Sequence, residues 1–112
     1  MRTRLNFFKT SMPGTRKADI YLGCLDGSVF MDFNISTDNL IFLRRISFDG
    51  YGCCNLDGTV ESLSIRDSQV FLKEIAKEEF NQETVCGLVQ KIIQMNKDLI
   101  WNDALIEYGL LQ

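Results

Sequence analysis

Asp26-Gly27-Ser28-Val29-Phe30-Met31-Asp32-Phe33-Asn34-Ile35 alternates apolar Val29, Met31, Phe33 and Ile35 with Phe30, Asp32 and Asn34. A period of two over this length marks a strand in an antiparallel sheet, one face against a core and the other facing water. Asp26-Gly27 at its start predicts a type I′ hairpin, because both residue types accept positive φ. Toward the N-terminus, residues 19–25 set Ile20, Leu22 and Cys24 on one face, and residues 5–9 read as an edge strand followed by a Pro13-Gly14 turn signal. Toward the C-terminus, residues 36–39 form a polar turn. Residues 40–48 return as a long strand, with Leu40, Phe42, Arg44, Ile46 and Phe48 on one face and Ile41, Leu43, Arg45 and Ser47 on the other. Asp49-Gly50 predicts a second hairpin, residues 51–56 a strand ending at Asp57-Gly58, and residues 59–65 one more strand.

The period then changes. Asp67 is a candidate N-cap for a helix over residues 67–79, with Phe71 and Ile75, and Leu72 and Ala76, as i to i+4 pairs. Asn81 is a candidate cap for the next helix, in which Val85, Leu88, Val89, Ile92 and Ile93 recur at helical spacing. A short helix over residues 99–108 carries Trp101, Leu105 and Tyr108, and Gly109 suits a left-handed stop with Leu110 packing after it. The expected fold is therefore α+β: an antiparallel meander sheet of about five strands packed against two or three C-terminal helices. Its 112 residues fall in the size range of one domain, with a basic arm or edge strand (1–17), a sheet (18–65) and a helical part (66–112).

Hydrophobic residues at 46% and charged residues at 24% give an ordinary globular mixture rather than a disordered one. The longest apolar runs fall far short of the ~20 residues that span a bilayer, and no hydrophobic signal region follows the start. The chain is expected to remain in the cytoplasm. Residues 1–17 do share the acid-free, basic composition of a mitochondrial presequence, but Pro13-Gly14 would break its helix. Cys24, Cys53, Cys54 and Cys86 are expected as free thiols without metal, since no C-x-x-C pair starts a zinc site. Adjacent Cys53 and Cys54 should point to opposite faces of a strand.

The net charge of −3 conceals an asymmetry. Arg2, Arg4, Lys9, Arg16 and Lys17 are the only charges in the first seventeen residues, whereas from Ala18 onward seven Lys/Arg face fifteen Asp/Glu, so 7 − 15 leaves −8. Such a body repels nucleic acid and attracts basic surfaces, although the same charge also aids solubility. Phe7 and Phe8 beside the basic arm have the outline of a base-stacking pair, but burial on the sheet explains them better.

The chain contains no histidine, which removes the Ser-His and Cys-His pairs and the commonest general base. Paired carboxylates are the remaining catalytic possibility. Asp49 and Asp57 flank one hairpin with Glu61 not far beyond, but Asp before Gly is what tight turns require. Gly50-Tyr51-Gly52 lies between strands, without the helix N-terminus that would hold a phosphate. No cofactor and no enzymatic activity are expected. Trp101 and Tyr108 read as core residues at helical spacing from Leu105, whereas Tyr51, between two glycines, is the preferred exposed aromatic.

Ile41-Phe42-Leu43-Arg44-Arg45-Ile46-Ser47-Phe48-Asp49-Gly50-Tyr51-Gly52-Cys53-Cys54, together with Leu99-Ile100-Trp101-Asn102-Asp103-Ala104-Leu105-Ile106-Glu107-Tyr108-Gly109-Leu110, resembles the small bacterial immunity proteins of contact-dependent growth inhibition. The resemblance covers about half the chain and lies in overall character, so no functional residue is carried across from it. It implies a cytoplasmic protein that binds one cognate toxin domain, commonly a nuclease, and keeps it from its substrate. A nuclease site is basic because it holds phosphates, so an acidic surface can cover it. The candidate partner-binding residues are Asp32, Asp38, Asp49, Tyr51, Asp57 and Glu61. The competing expectations are an adaptor or regulatory subunit using an exposed apolar stripe over residues 85–93, and a small enzyme using two carboxylates of raised pKa.

Overall fold

Leu43-Arg44-Arg45-Ile46 breaks the alternation of the central hairpin, and that break governs the sheet. The computed structural model describes residues 5–10, 19–24 and 27–111. Within them lie β1 (Phe7–Lys9), β2 (Asp19–Cys24), β3 (Val29–Ile35), β4 (Ile41–Phe48) and β5 (Gly52–Asn55). They form one antiparallel meander in the order β1-β2-β3-β4-β5. The Pro13-Gly14 turn and the basic residues Arg2, Arg4, Arg16 and Lys17 lie outside the described residues.

Ile20, Leu22 and Cys24 on β2, and Val29, Met31 and Phe33 on β3, face the core as their alternation predicts. On β4 the expected faces change partway. Asp32 pairs with Arg45 but Phe33 pairs with Leu43, which leaves Arg44 as the extra residue of a β-bulge. Two arginines thus stand between inward-pointing residues, and Ile41, Leu43, Ile46 and Phe48 are all buried. The expected grouping of Leu40, Phe42, Arg44, Ile46 and Phe48 therefore holds only for the part of the strand after the bulge.

Asp26 of the expected type I′ turn lies outside the described residues, and the turns after β3 and β4 are not of that type. Gly27 N–H donates to Cys24 O (2.8 Å), Asn39 N–H to Ser36 O (2.9 Å) and Tyr51 N–H to Phe48 O (3.1 Å). Among described non-glycine residues only Asn39 has positive φ, so Asp49 is not part of an I′ pair. Instead the left-handed residue follows a tight turn at Asn39 and occupies the third position of one at Gly50 (φ 88°). Residues 59–65 supply one isolated bridge, Phe42 to Ser62, rather than a sixth strand.

The helical half comprises α1 (Ile65–Ile75), α2 (Gln82–Met95), a 3₁₀ turn (Lys97–Leu99) and α3 (Asn102–Glu107). Ser64, not Asp67, caps α1: its Oγ accepts from Asp67 N–H (3.1 Å), which puts Asp67 in the first turn, where it pairs with Lys91 Nζ (2.7 Å). Past the end of the helix at Ile75, Lys9 Nζ from β1 donates to Ile75 O (2.8 Å) and to Lys77 O (3.0 Å), satisfying carbonyls left open there. Asn81 caps α2 by accepting from Thr84 N–H (3.0 Å). At the far end Leu110 N–H reaches back to Leu105 O (2.9 Å) across left-handed Gly109, the stop that the sequence predicts.

The apolar stripe of α2, Val85, Leu88, Val89, Ile92 and Ile93, is buried, and Phe71 of α1 meets Phe33 at 5.3 Å. These residues join the inward faces of the strands in one hydrophobic cluster. No helix among the described residues is long and apolar enough to cross a membrane.

The connection between α1 and α2 depends on charge. Glu74 accepts from Asn81 N–H (2.7 Å) and pairs with Lys77 Nζ (3.1 Å), and these partners, the amide first, hold its carboxyl below the ordinary glutamate range. A depressed folded-state pKa contributes stability above the ordinary range, and that contribution is lost as pH falls through the folded value. Glu74→Gln is expected to lower the urea midpoint at neutral pH. The gap to the parent chain should close as pH is lowered below the ordinary glutamate range. A gap that stays constant with pH would contradict this assignment.

Candidate functional site

Of the six acidic or aromatic candidates, Asp49, Tyr51, Asp57, Glu61 and Asp38 are exposed, whereas Asp32 is only 6% exposed. Asp32 lies on the sheet face away from the helices. Its Oδ2 accepts from Arg45 Nε (2.7 Å), and Arg44 Nη2 stands 3.6 Å away, itself donating to the Tyr21 hydroxyl (3.2 Å). The bulge makes this possible by placing both guanidinium groups on one side of β4. One carboxylate between two cations cannot present negative charge to a partner.

Beside it runs a groove of about 380 Å³ lined by Thr10, Tyr21, Phe30, Asp32, Arg45 and Cys53 among others. Phe30, 42% exposed, forms its wall edge-on to Phe8 at 6.2 Å. Gly23 allows that packing, because a β-carbon there would come within 2.8 Å of both rings. This face is aromatic, and its buried Asp32 is paired with arginines. Phe7, by contrast, is buried in the core.

Asp38 occupies the β3–β4 turn and Asp49 the β4–β5 turn, at opposite ends of an eight-residue strand. At ~3.3 Å per residue they are separated by roughly 23 Å. The structure therefore does not gather all six residues on one surface. It gathers Asp49 and Tyr51 at the β4–β5 turn, whereas Asp57, next to Leu56 whose N–H donates to Arg44 O, and Glu61, next to Ser62 which bridges Phe42, lie toward the start of β4. Buried Asn96 accepts from Glu61 N–H (2.8 Å) and donates to Glu61 O (2.9 Å), fixing residue 61 to the end of α2.

The same hairpin packs on the C-terminal segment. The Tyr108 hydroxyl donates to Asp49 O, the Tyr108 ring stacks on Phe48 at 5.5 Å, and Tyr51 meets Tyr108 edge-on at 6.4 Å. Cys54 Sγ reaches Leu99 O at 3.5 Å, and burial pushes the Cys54 thiol upward. Exposed Cys53 next to it confirms the opposed orientation of the pair. Partial desolvation and the nearby Glu107 and Asp103 carboxylates raise the Tyr51 phenol, which places those acids beside the hairpin.

The hairpin and the C-terminal segment carry acids and no cation of their own, with Arg45 reaching Cys53 from β4 and exposed Lys97 preceding Asp98. Residues 46–65 hold Asp49, Asp57 and Glu61, residues 98–112 hold Asp98, Asp103 and Glu107, and neither segment contains a lysine or arginine. All six carboxylates are exposed. Among them stand Tyr51 and Trp101, each 41% exposed, and Ile106, 60% exposed. Trp101 departs from the expected core position because it precedes α3 in an extended conformation (φ −60°, ψ 115°), so helical spacing to Leu105 does not apply. Sequence reasoning missed Trp101, Asp98, Asp103 and Glu107 as neighbours of the hairpin. The absence of cations in residues 98–112 was the available signal.

No group of three or more His, Cys, Asp or Glu residues that could hold a metal ion occurs among the described residues. Comparison of the chain with protein-family models, with curated proteins and with solved structures finds no match.

Proposed function

We propose that the chain is an inhibitor of the immunity type, a cytoplasmic protein that binds one cognate toxin domain and covers its basic active-site surface. The observation that carries this reading is the surface of the β4–β5 hairpin and α3, where exposed Asp49, Asp103 and Glu107 lie about the Tyr51 ring and the two contributing segments hold no lysine or arginine. Acid groups arranged in one sign raise the encounter rate with a basic groove, and large amphipathic rings supply the anchors around which an interface packs. A nuclease domain is the toxin class that best matches, because its catalytic groove is basic by necessity. Neutralisation of this kind needs no catalytic group on the inhibitor.

The adaptor reading loses its main feature, since the stripe of α2 is buried rather than exposed. The carboxylate-enzyme reading also gains no support, because the carboxyls of displaced pKa, Asp67 and Glu74, both move downward, opposite to a general acid. An immunity gene lies directly beside its toxin gene, so the test uses the toxin domain encoded next to this chain. Added in equimolar amount, the purified chain is expected to abolish that domain's nuclease activity. Undiminished activity in the presence of excess chain would overturn the proposal.

A further inference from the structure

The two edges of the sheet are treated differently. At β1 the Gln82 side chain acts as a substitute strand: its Oε1 accepts from Phe7 N–H (2.7 Å) and its Nε2 donates to Phe7 O (2.8 Å). That amide occupies the hydrogen-bonding groups a neighbouring strand would use. At β5 nothing comparable occurs among the described residues. Leu56 N–H donates to Arg44 O (3.0 Å) and Cys54 pairs with Ile46. Antiparallel alternation therefore turns the backbone groups of Gly52 and Cys54 toward β4, and those of Cys53 and Asn55 outward. No lysine or proline, the usual guards of an exposed edge, occurs in residues 46–65. Gly52 has no side chain, and those of Cys53 and Asn55 are small and exposed, so they leave the edge accessible.

We propose that β5 accepts an extended, basic segment of the partner protein as a sixth strand, the Cys53 and Asn55 backbone groups forming its hydrogen bonds. This deepens the proposed function and rests on it for the charge of the occupant. Asp49, Asp57, Asp103 and Glu107 border the open edge, so a strand with lysine or arginine side chains is favoured there over a neutral or acidic one. Backbone pairing then contributes affinity, and the acids select the segment. The acids at its ends also disfavour pairing with the same edge of another copy.

The test uses a synthetic peptide of alternating lysine and valine, which is strand-forming, and a helix-forming lysine and alanine peptide of equal charge. Amide hydrogen exchange of the full chain is followed by NMR at millimolar peptide. The strand peptide is expected to slow exchange at Cys53 and Asn55 by about tenfold or more, equivalent to roughly 1.4 kcal/mol, while Cys54, already paired with β4, changes little. Asn55→Pro, which removes only an outward N–H, should abolish this protection at Cys53, whereas Asn55→Ala should retain it. Binding of both peptides without protection at Cys53 and Asn55 would overturn edge pairing and leave the acidic-surface reading standing. Binding of neither would overturn both. Protection that grows with chain concentration alone would assign the edge to a second copy and also overturn the proposal.

Discussion

Deletion of Ser47 is expected to abolish cooperative thermal unfolding, whereas deletion of Arg44, three residues earlier on the same strand, is expected to leave a folded protein with a melting temperature lowered by about 3–8 °C. The contrast follows from side-chain parity. Removing one residue from a regular stretch reverses every side chain on one side of the cut. For Ser47 this turns out either Phe48 and Leu56 or the trio Ile41, Leu43 and Ile46, all buried. At roughly 1.5–3 kcal/mol for each large apolar side chain, the loss is comparable with the roughly 5–15 kcal/mol that holds a protein of this size together. Arg44 is the supernumerary residue of the bulge, so its deletion restores strict alternation with Leu43 and Ile46 still inward. The loss then includes its partly exposed contacts with Asp32 and Tyr21, about 1 kcal/mol, and the bond its carbonyl accepts from Leu56 N–H. Circular dichroism melts of both deletions decide the matter. Equal destabilisation by the two would show that the extra residue is not Arg44.

Replacing Asp49, Asp103 and Glu107 together by lysine is expected to weaken binding to the toxin domain by about a thousandfold, roughly 4 kcal/mol. Each of these acids lies on the surface formed by the hairpin and α3, and reversing a charge replaces attraction by repulsion. Because such charges act before contact, most of the loss at low salt should appear in the association rate, and the salt dependence of that rate should flatten. Asp38→Lys is the control. It changes net charge equally per residue but sits at the far end of β4, so its expected effect is less than about threefold. Isothermal titration with stopped-flow kinetics measures both quantities. If Asp38→Lys proves as damaging as any single reversal on the hairpin, overall charge rather than this surface governs recognition.

Much of the fold was legible because the decisive signals are local. Alternation in β2 and β3 identifies strands, Asn81 and Gly109 mark helix ends by their own backbone preferences, and the α2 stripe identifies its buried face. The errors occurred where two local signals compete. Ser64 and Asp67 are both capping residue types at the spacing of a cap and its N3 partner, and only the Oγ bond shows which one is the cap. Two consecutive charged residues between Leu43 and Ile46 were the trace of the bulge, but parity counted along the strand conceals it. The site was less legible, since its two acidic segments are far apart in sequence and are joined by Tyr108, Cys54 and Asn96 contacts. Asp32 illustrates the converse: it is an acid by composition, yet two arginines neutralise it.

Hydroxyl-radical footprinting of the chain with and without the toxin domain compares the two aromatic faces within one sample. The account predicts that binding shields Tyr51 and Trp101 from oxidation while Tyr21 and Phe30, on the open sheet face, react as before. Shielding of Tyr21 and Phe30 with Tyr51 and Trp101 still reactive would contradict it.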